Sequence, residues 1–129
     1  MSRVAIQTKP IQRTPRANDE PHLDFIRALS CVVCMRPSGA DGLRTEAAHI
    51  RFNDSRYLKT VGGREKPNDK WTVPLCHRHH AEQTKIGEGP QYWEGLGMDP
   101  HAFAMVLHSV SPDIETGERV VKNWNGWLR

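Results

Sequence analysis

Leu75-Cys76-His77-Arg78-His79-His80 is the stretch that decides the fold of this chain, because it places one cysteine and three histidines in five consecutive positions. Cysteine sulfur and histidine nitrogen are the usual ligands of zinc in proteins. Neighbouring side chains on so short a segment point in different directions, so further ligands must come from elsewhere. Cys31-Val32-Val33-Cys34 offers two of them.

Together the two segments predict a structural zinc site with four ligands, namely Cys31, Cys34, Cys76 and His79. In each segment the two ligands are separated by two residues, a spacing that lets a tight turn aim both donors at one ion. His77 is the alternative fourth ligand, although the spacing favours His79. The competing interpretations are three buried cysteines without metal and a redox pair of Cys31 and Cys34.

The composition is that of a small zinc-stabilised domain. A chain of 129 residues predicts one domain, and a hydrophobic share of 37% predicts a small core that a metal would help to hold. The sequence has no apolar run long enough to span a membrane and no signal peptide, so we expect a cytoplasmic protein without a membrane partner. Three cysteines argue against a disulfide framework. The net charge of +3 is compatible with nucleic acid.

The sequence predicts an α+β chain in three regions: a basic flexible arm over 1–17, the zinc-containing domain over 18–110, and an extension over 111–129 that packs on the core. The predicted elements are a helix from Asn18 to Ser30, a strand over 45–52, a long loop to Asp69, a strand over 71–73 stopped by Pro74, a helix from Cys76 or His77 to about Ile86, a helical turn or two over 91–96, and a helix opened by Asp99-Pro100 and ended by Ser111-Pro112.

Two motifs in this chain resemble HNH endonucleases: Ala48-His49-Ile50, and Asn68-Asp69-x-Trp71-x-Val73-Pro74-Leu75-Cys76-x-x-His79-His80. The resemblance covers about residues 31–85 and is closest to small zinc-containing phage and prophage HNH proteins, such as the recombination-enhancement nucleases. It implies a zinc-stapled ββα-metal (His-Me finger) core, here with additional flanking helices, around one catalytic metal.

The resemblance also implies roles for individual residues. His49 matches the general base that activates water, and His80 matches the histidine that holds the catalytic divalent metal. Asp69 matches the residue that braces the loop and orients His49, with Asn68 as the alternative. The implied products carry 5′-phosphate and 3′-hydroxyl groups. Histidine, with a pKa of about 6.5, suits the role of base, and a cation would neutralise charge on the departing oxygen.

Two departures from the family pattern concern metal ligands. Ala48 stands where the family has an acid or a histidine that binds the catalytic metal. The missing ligand oxygen could then come from Glu46, Asp69 or Gln83. The alternative is that water and substrate phosphate complete the coordination of the metal. The second zinc knuckle ends in His79 where the family has cysteine. The expected catalytic cofactor is Mg²⁺ or Mn²⁺, with other divalent ions also acceptable to a histidine ligand.

Basic residues between the two site histidines predict contact with a phosphate backbone. They are Arg51, Arg56, Lys59, Arg64, Lys66 and Lys70. The leading hypothesis is therefore a metal-dependent DNA endonuclease, encoded by a bacterium or phage, that acts in phage or prophage recombination or DNA processing with a recombinase or a similar protein as partner. The alternative is a non-catalytic zinc-binding module that binds DNA or a recombinase.

Overall fold

The computed structural model describes residues 18–57 and 68–127, with side chains as far as Trp124. The predicted arm over 1–17 and three predicted DNA contacts, Lys59, Arg64 and Lys66, lie outside the described residues. Within them the chain is a small α+β protein with a two-stranded antiparallel sheet and five α-helices. The elements are α1 (Glu20–Arg27), β1 (Glu46–His49), β2 (Thr72–Leu75), α2 (His77–Ile86), α3 (Gln91–Leu96), α4 (Pro100–Val110) and α5 (Ile114–Trp127).

Helix α1 begins where the sequence predicts a helix start. The side chain of Asp19 accepts a hydrogen bond from the backbone N–H of His22, and Pro21 lies in the first turn. The helix ends at Arg27, three residues earlier than predicted, because the chain then turns into the first predicted knuckle, Cys31–Cys34. There the backbone N–H of Val32 donates to the carbonyl of Pro74 at 3.0 Å, which fixes the knuckle to the sheet.

The sheet pairs Ala47 with Pro74 and His49 with Thr72. The prediction that Pro74 ends the second strand is wrong, since β2 continues to Leu75. The carbonyl of Pro74 points away from β1, toward Val32, and the nitrogen of a residue lies on the same edge as its carbonyl. Proline therefore costs no hydrogen bond of the ladder at this position. The first strand is also shorter than the predicted 45–52.

The hydrophobic core lies between the sheet and helices α1, α4 and α5. Its largest fully buried side chains include Phe103, Ile26, Leu29, Ile50 and Leu75. Helix α1 packs on both strands, and α4 packs on β2 and on α5. Among the described residues, no helix combines the length and apolar character that a bilayer crossing requires.

Helix α5 is the element that the sequence did not predict, although folding back of the chain end was expected. Its Gly117 lies against Phe25 and Leu29, where a Cβ atom would come within 2.7 Å of the Phe25 ring. The carboxylate of Glu118 accepts hydrogen bonds from the backbone N–H and the hydroxyl of Ser30, at 2.6 and 2.7 Å. Helix α5 thus packs on α1 through Gly117 and holds Ser30, the residue directly before Cys31. The three-region division of the chain remains a prediction.

Candidate active site

Cys31, Cys34, Cys76 and His79 form one compact group whose ligand atoms all lie within 4.8 Å of one another. Nδ1 of His79 lies 3.2 Å from Sγ of Cys76 and 3.7 Å from Sγ of Cys31. Sγ of Cys34 lies 3.8 Å from Sγ of Cys76. A tetrahedral zinc ion with ordinary bond lengths separates two sulfurs by about 3.8 Å and a sulfur from a nitrogen by about 3.6 Å. The group therefore fits a metal such as zinc.

The four ligands lie in the turn after α1 and at the start of α2, as their spacing predicts. Cys31 and Cys34 lie in the turn after α1, which is closed by a hydrogen bond from the N–H of Met35 to the carbonyl of Cys31. Cys76 is the residue before the first turn of α2, and His79 lies in that turn. Residues at i and i+3 of a helix start lie on one side, so both donors point at the first knuckle.

The protonation states of the group depend on burial and on nearby hydrogen-bond donors. Burial and the positive charge of Arg78 lower the pKa of His79, which favours the neutral imidazole that a metal requires. Burial raises the pKa of the Cys31 thiol to about 12. Burial also acts to raise the pKa of Cys76, but hydrogen bonds to its sulfur, first from the backbone of His79, outweigh it and leave that pKa lowered. Cys76 therefore ionises more readily than Cys31 toward an incoming cation.

His49, the predicted base, is hydrogen-bonded to Asp69, the predicted orienting residue. Nε2 of His49 lies 2.8 Å from Oδ1 of Asp69, a carboxylate that is 1% exposed. Oδ2 of Asp69 accepts the backbone N–H of Asp19 at 2.7 Å. Because a carboxylate only accepts, Nε2 of His49 carries the proton, and Nδ1 is the acceptor nitrogen of the neutral ring. Asn68 instead accepts the backbone N–H of Lys70 and shapes the turn.

His80, the predicted ligand of the catalytic metal, is hydrogen-bonded to Glu46. Nδ1 of His80 donates to Oε1 of Glu46 at 2.7 Å, and Nδ1 of His77 donates to Oε2 at 2.9 Å. Burial acts to raise the pKa of Glu46, but the hydrogen bonds from His77 and His80 outweigh it, so the pKa lies below its ordinary value. The Glu46 carboxylate is therefore ionised at neutral pH.

The three candidates for the missing oxygen ligand lie in different places. Glu46 contacts His80, whereas Asp69 is engaged with His49 and the start of α1. Gln83 is buried, and its amide nitrogen donates to the carbonyl of Gly87 and to Glu88. Ala48 is 1% exposed and packs in the core. Of the three candidates, Glu46 is the residue that contacts His80, the predicted ligand of the catalytic metal.

Strand β1 carries both pairs, but on different faces. Side chains alternate along a strand, so Glu46 shares a face with Ala48 while His49 points to the other face. His49 is the last residue of β1. The two pairs therefore lie on opposite faces of β1, with His49 next to the turn that carries Asp69.

Two of the predicted DNA contacts that the structure describes are in contact with other side chains. Arg56 lies 2.6 Å from Asp54 and 3.0 Å from Asp99, and Lys70 lies over the ring of Trp71 at 5.1 Å. Arg51 is exposed.

Three arginines that the sequence interpretation did not single out lie close together in the structure. They line a cavity of about 120 Å³ together with Cys76 and His77, and they are Arg36, Arg44 and Arg78. Arg36 and Arg78 lie within two residues of the predicted zinc ligands Cys34 and His79. This proximity in the sequence could have pointed to them. Comparison of the chain with protein-family models, curated proteins and solved structures found no match.

Proposed function

We propose that this protein is a metal-dependent endonuclease that hydrolyses DNA phosphodiester bonds, with His49 as general base and His80 as a ligand of a divalent cation. One observation carries the proposal: within four residues, β1 bears a histidine oriented by a buried carboxylate and a carboxylate paired with a second histidine. These are the base and the metal anchor that hydrolysis of a phosphodiester needs.

The His49–Asp69 pair supports the role of base. With its Nε2 proton donated to Asp69, His49 presents Nδ1 as the nitrogen that can take a proton from water. The imidazolium that forms is then stabilised by the adjacent carboxylate. Asp69 keeps its position during this step because the backbone of Asp19 and the side chain of Thr72 both donate to it, the latter to its carbonyl at 2.9 Å.

The Glu46–His80 pair fits a divalent cation. Two adjacent ligands of an ion bound at about 2.1 Å are separated by roughly 3.0 Å, close to the 2.7 Å between Oε1 of Glu46 and Nδ1 of His80. A cation can thus replace the shared proton with small movement of either side chain. One nitrogen and one carboxylate suit Mn²⁺ and also accept Mg²⁺ completed by water. Bound there, the cation would supply charge neutralisation at the departing oxygen.

Positive side chains near the Glu46–His80 pair support a phosphate-backbone substrate. Arg36, Arg44 and Arg78 surround a cavity that also includes His77, and His77 shares the Glu46 carboxylate with His80. Contacts of this type hold a backbone in register without reading its sequence. The whole chain carries a net charge of +3, which favours the same partner.

A second candidate function is a non-catalytic zinc-binding module for DNA or a recombinase. The buried, apolar Ala48 favours it, because no ligand atom stands at the position where the resemblance expects one. The two candidates differ in one measurement, which is nicking of supercoiled plasmid by purified protein with Mg²⁺ or Mn²⁺, alone and with a recombinase filament.

The nicking experiment compares the wild type with His49→Ala and, as a matched control, His108→Ala on an exposed part of α4. We expect nicking by the wild type and the control, and a reduction of about 10² to 10⁴ in His49→Ala with DNA binding retained. Equal nicking by His49→Ala would contradict the assignment of the base. A wild type that binds DNA and never nicks it would favour the binding module.

A further inference from the structure

A second group of metal-ligating side chains lies outside the site described above. Ligand atoms of Asp54, Asp99 and His101 all lie within 4.8 Å of one another. Asp54 follows β1, directly before a short 3-10 turn (Ser55–Tyr57). Asp99 is the residue before α4 and His101 is in its first turn, so two chain segments far apart in sequence meet here.

His101 is held in one orientation by its surroundings. Its side chain is 0% exposed, and its ring meets Phe52 at 4.8 Å and Trp71 at 5.2 Å, both edge to face, and stacks on Tyr57 at 5.9 Å. Nε2 lies 3.2 Å from the backbone carbonyl of Phe52. Because a carbonyl only accepts, Nε2 carries the proton, and in the neutral ring Nδ1 presents a lone pair.

That lone pair is directed at a carboxylate. Nδ1 of His101 lies 3.6 Å from Oδ2 of Asp54. Two acceptors that face each other at this distance repel, unless a positive charge lies between them. Either a second proton on His101 or a bound cation can supply this charge, and the neighbouring carboxylate of Asp99 provides one more ligand for the cation.

We propose that Asp54, Asp99 and His101 bind a divalent cation of the class that accepts both nitrogen and oxygen, such as Mn²⁺ or Zn²⁺. The hydrogen bond from Nε2 to the Phe52 carbonyl is the second contact that metal-binding histidines usually make, and it fixes the tautomer that can ligate. The group borders an open cavity of about 420 Å³, which leaves room for water at the remaining coordination positions. The inference does not depend on the proposed nuclease function.

Arg56 occupies the place that the cation would take. Its guanidinium lies 2.6 Å from Asp54 and 3.0 Å from Asp99, so it neutralises both carboxylates. The Arg56 side chain is 64% exposed, so it can move into solvent when a cation takes over the two carboxylates. The cation and Arg56 therefore compete for the same oxygens.

The test is Mn²⁺ binding, measured from the EPR signal of free Mn²⁺, on folded protein with zinc in the cysteine site. A His80→Ala background removes the other proposed cation site. In it we expect one Mn²⁺ per chain, with affinity reduced about tenfold or more by Asp99→Asn. Asparagine also caps helices well, so α4 should be preserved. Arg56→Gln should raise the affinity, since the competitor is gone.

Asp113→Asn is the matched control, because Asp113 caps α5 through Thr116 as Asp99 caps α4 through Ala102. It should leave Mn²⁺ affinity unchanged. Unchanged affinity in Asp99→Asn, or no Mn²⁺ binding in the His80→Ala background, would overturn the proposal. So would nitrogen NMR that shows His101 protonated on both ring nitrogens with saturating Zn²⁺, a diamagnetic cation of the same class, because the proton would then hold the place of the cation.

Discussion

Asp69 binds His49 and the first turn of the domain at once: its Oδ1 lies 2.8 Å from Nε2 of His49, and its Oδ2 accepts the backbone N–H of Asp19. The carboxylate has no freedom to rotate without losing one of these bonds. The position of the candidate base is therefore set by the start of α1 as well as by β1.

Replacement of Asp69 by asparagine should damage both stability and the site. An amide has one acceptor oxygen, so either the N–H of Asp19 loses its acceptor, or Nε2 of His49 faces an NH₂ group and the ring must change to the other tautomer. Leaving one buried donor unsatisfied costs about 1–3 kcal/mol. We expect a fall of this size in the free energy of unfolding by urea denaturation, together with reduced nicking. Asp24→Asn, on the exposed face of α1, is the control, and equal effects of the two changes would contradict the role of Asp69.

Replacement of Glu46 by glutamine should weaken the cation site at His80. Glutamine keeps the size of the side chain but removes the charge, so Mn²⁺ affinity should fall about tenfold or more, measured by calorimetry in an Asp99→Asn background. His77→Ala is the control, because His77 is 69% exposed and contacts the other oxygen of the same carboxylate. A larger loss in His77→Ala than in Glu46→Gln would place the cation on His77.

Zinc binding should distinguish His79 from its neighbour His77. His79→Ala and Cys34→Ser each remove a proposed ligand, so both should lose zinc by metal analysis and lower the melting temperature markedly. His77→Ala should retain about one zinc per chain, since His77 contacts Glu46 at 2.9 Å and the group of ligand atoms includes His79 instead. Loss of zinc from His77→Ala with retention in His79→Ala would reverse the assignment.

The ion pair of Asp54 and Arg56 predicts a pH effect. The side chain of Arg56 lowers the pKa of Asp54 from its ordinary 3.8 to about 2. Because the folded value lies below the unfolded one, ionised Asp54 contributes stability above pH 3.8, and this is lost as pH falls through about 2. Carboxyl carbon NMR should show this midpoint, and Arg56→Gln should move it back toward 3.8. Asp113, whose pKa is lowered by Thr116, should not respond.

Gly117 predicts a packing effect at the interface of α5 and α1. A methyl group at this position would come within 2.7 Å of the Phe25 ring and 3.0 Å of Leu29. Both side chains are buried, so Gly117→Ala should destabilise by about 1–3 kcal/mol in thermal or urea unfolding. Gly95→Ala in α3 has open space and should be neutral or stabilising by up to about 1 kcal/mol. If Gly117→Ala left the free energy of unfolding unchanged, α5 would pack less tightly against Phe25 and Leu29 than these distances indicate.

The sequence predicted the group of Cys31, Cys34, Cys76 and His79 and most helices because the signals are local. Two ligands in one turn and the Asp99-Pro100 helix start each need only a few consecutive residues. Resemblance to a known family also anticipated Asp69 beside His49. The predicted second strand ended too early, because proline usually ends a strand. The sequence does not show which edge of the strand the nitrogen of Pro74 faces.

Other features depend on tertiary packing, so spacing could not reveal them. Helix α5 contains Gly117, which lowers helix propensity, and the reason for a glycine is visible only with Phe25 against it. The contact of Glu46 with two histidines of α2 links residues more than 30 positions apart. The same is true of Asp54 and His101, which only the packing of α4 on the sheet brings together.

The hydrogen bond from the backbone of Asp19 to Asp69 also fixes the point at which residues 1–17 are attached to the fold. Residues 1–17 contain four basic residues and no acidic one, and they are attached one residue before a backbone atom that touches the partner of His49. Anything bulky that is fused ahead of Asp19 would therefore act on the contact that holds the carboxylate of Asp69 against His49. Protein without such a tag is the better choice for activity measurements.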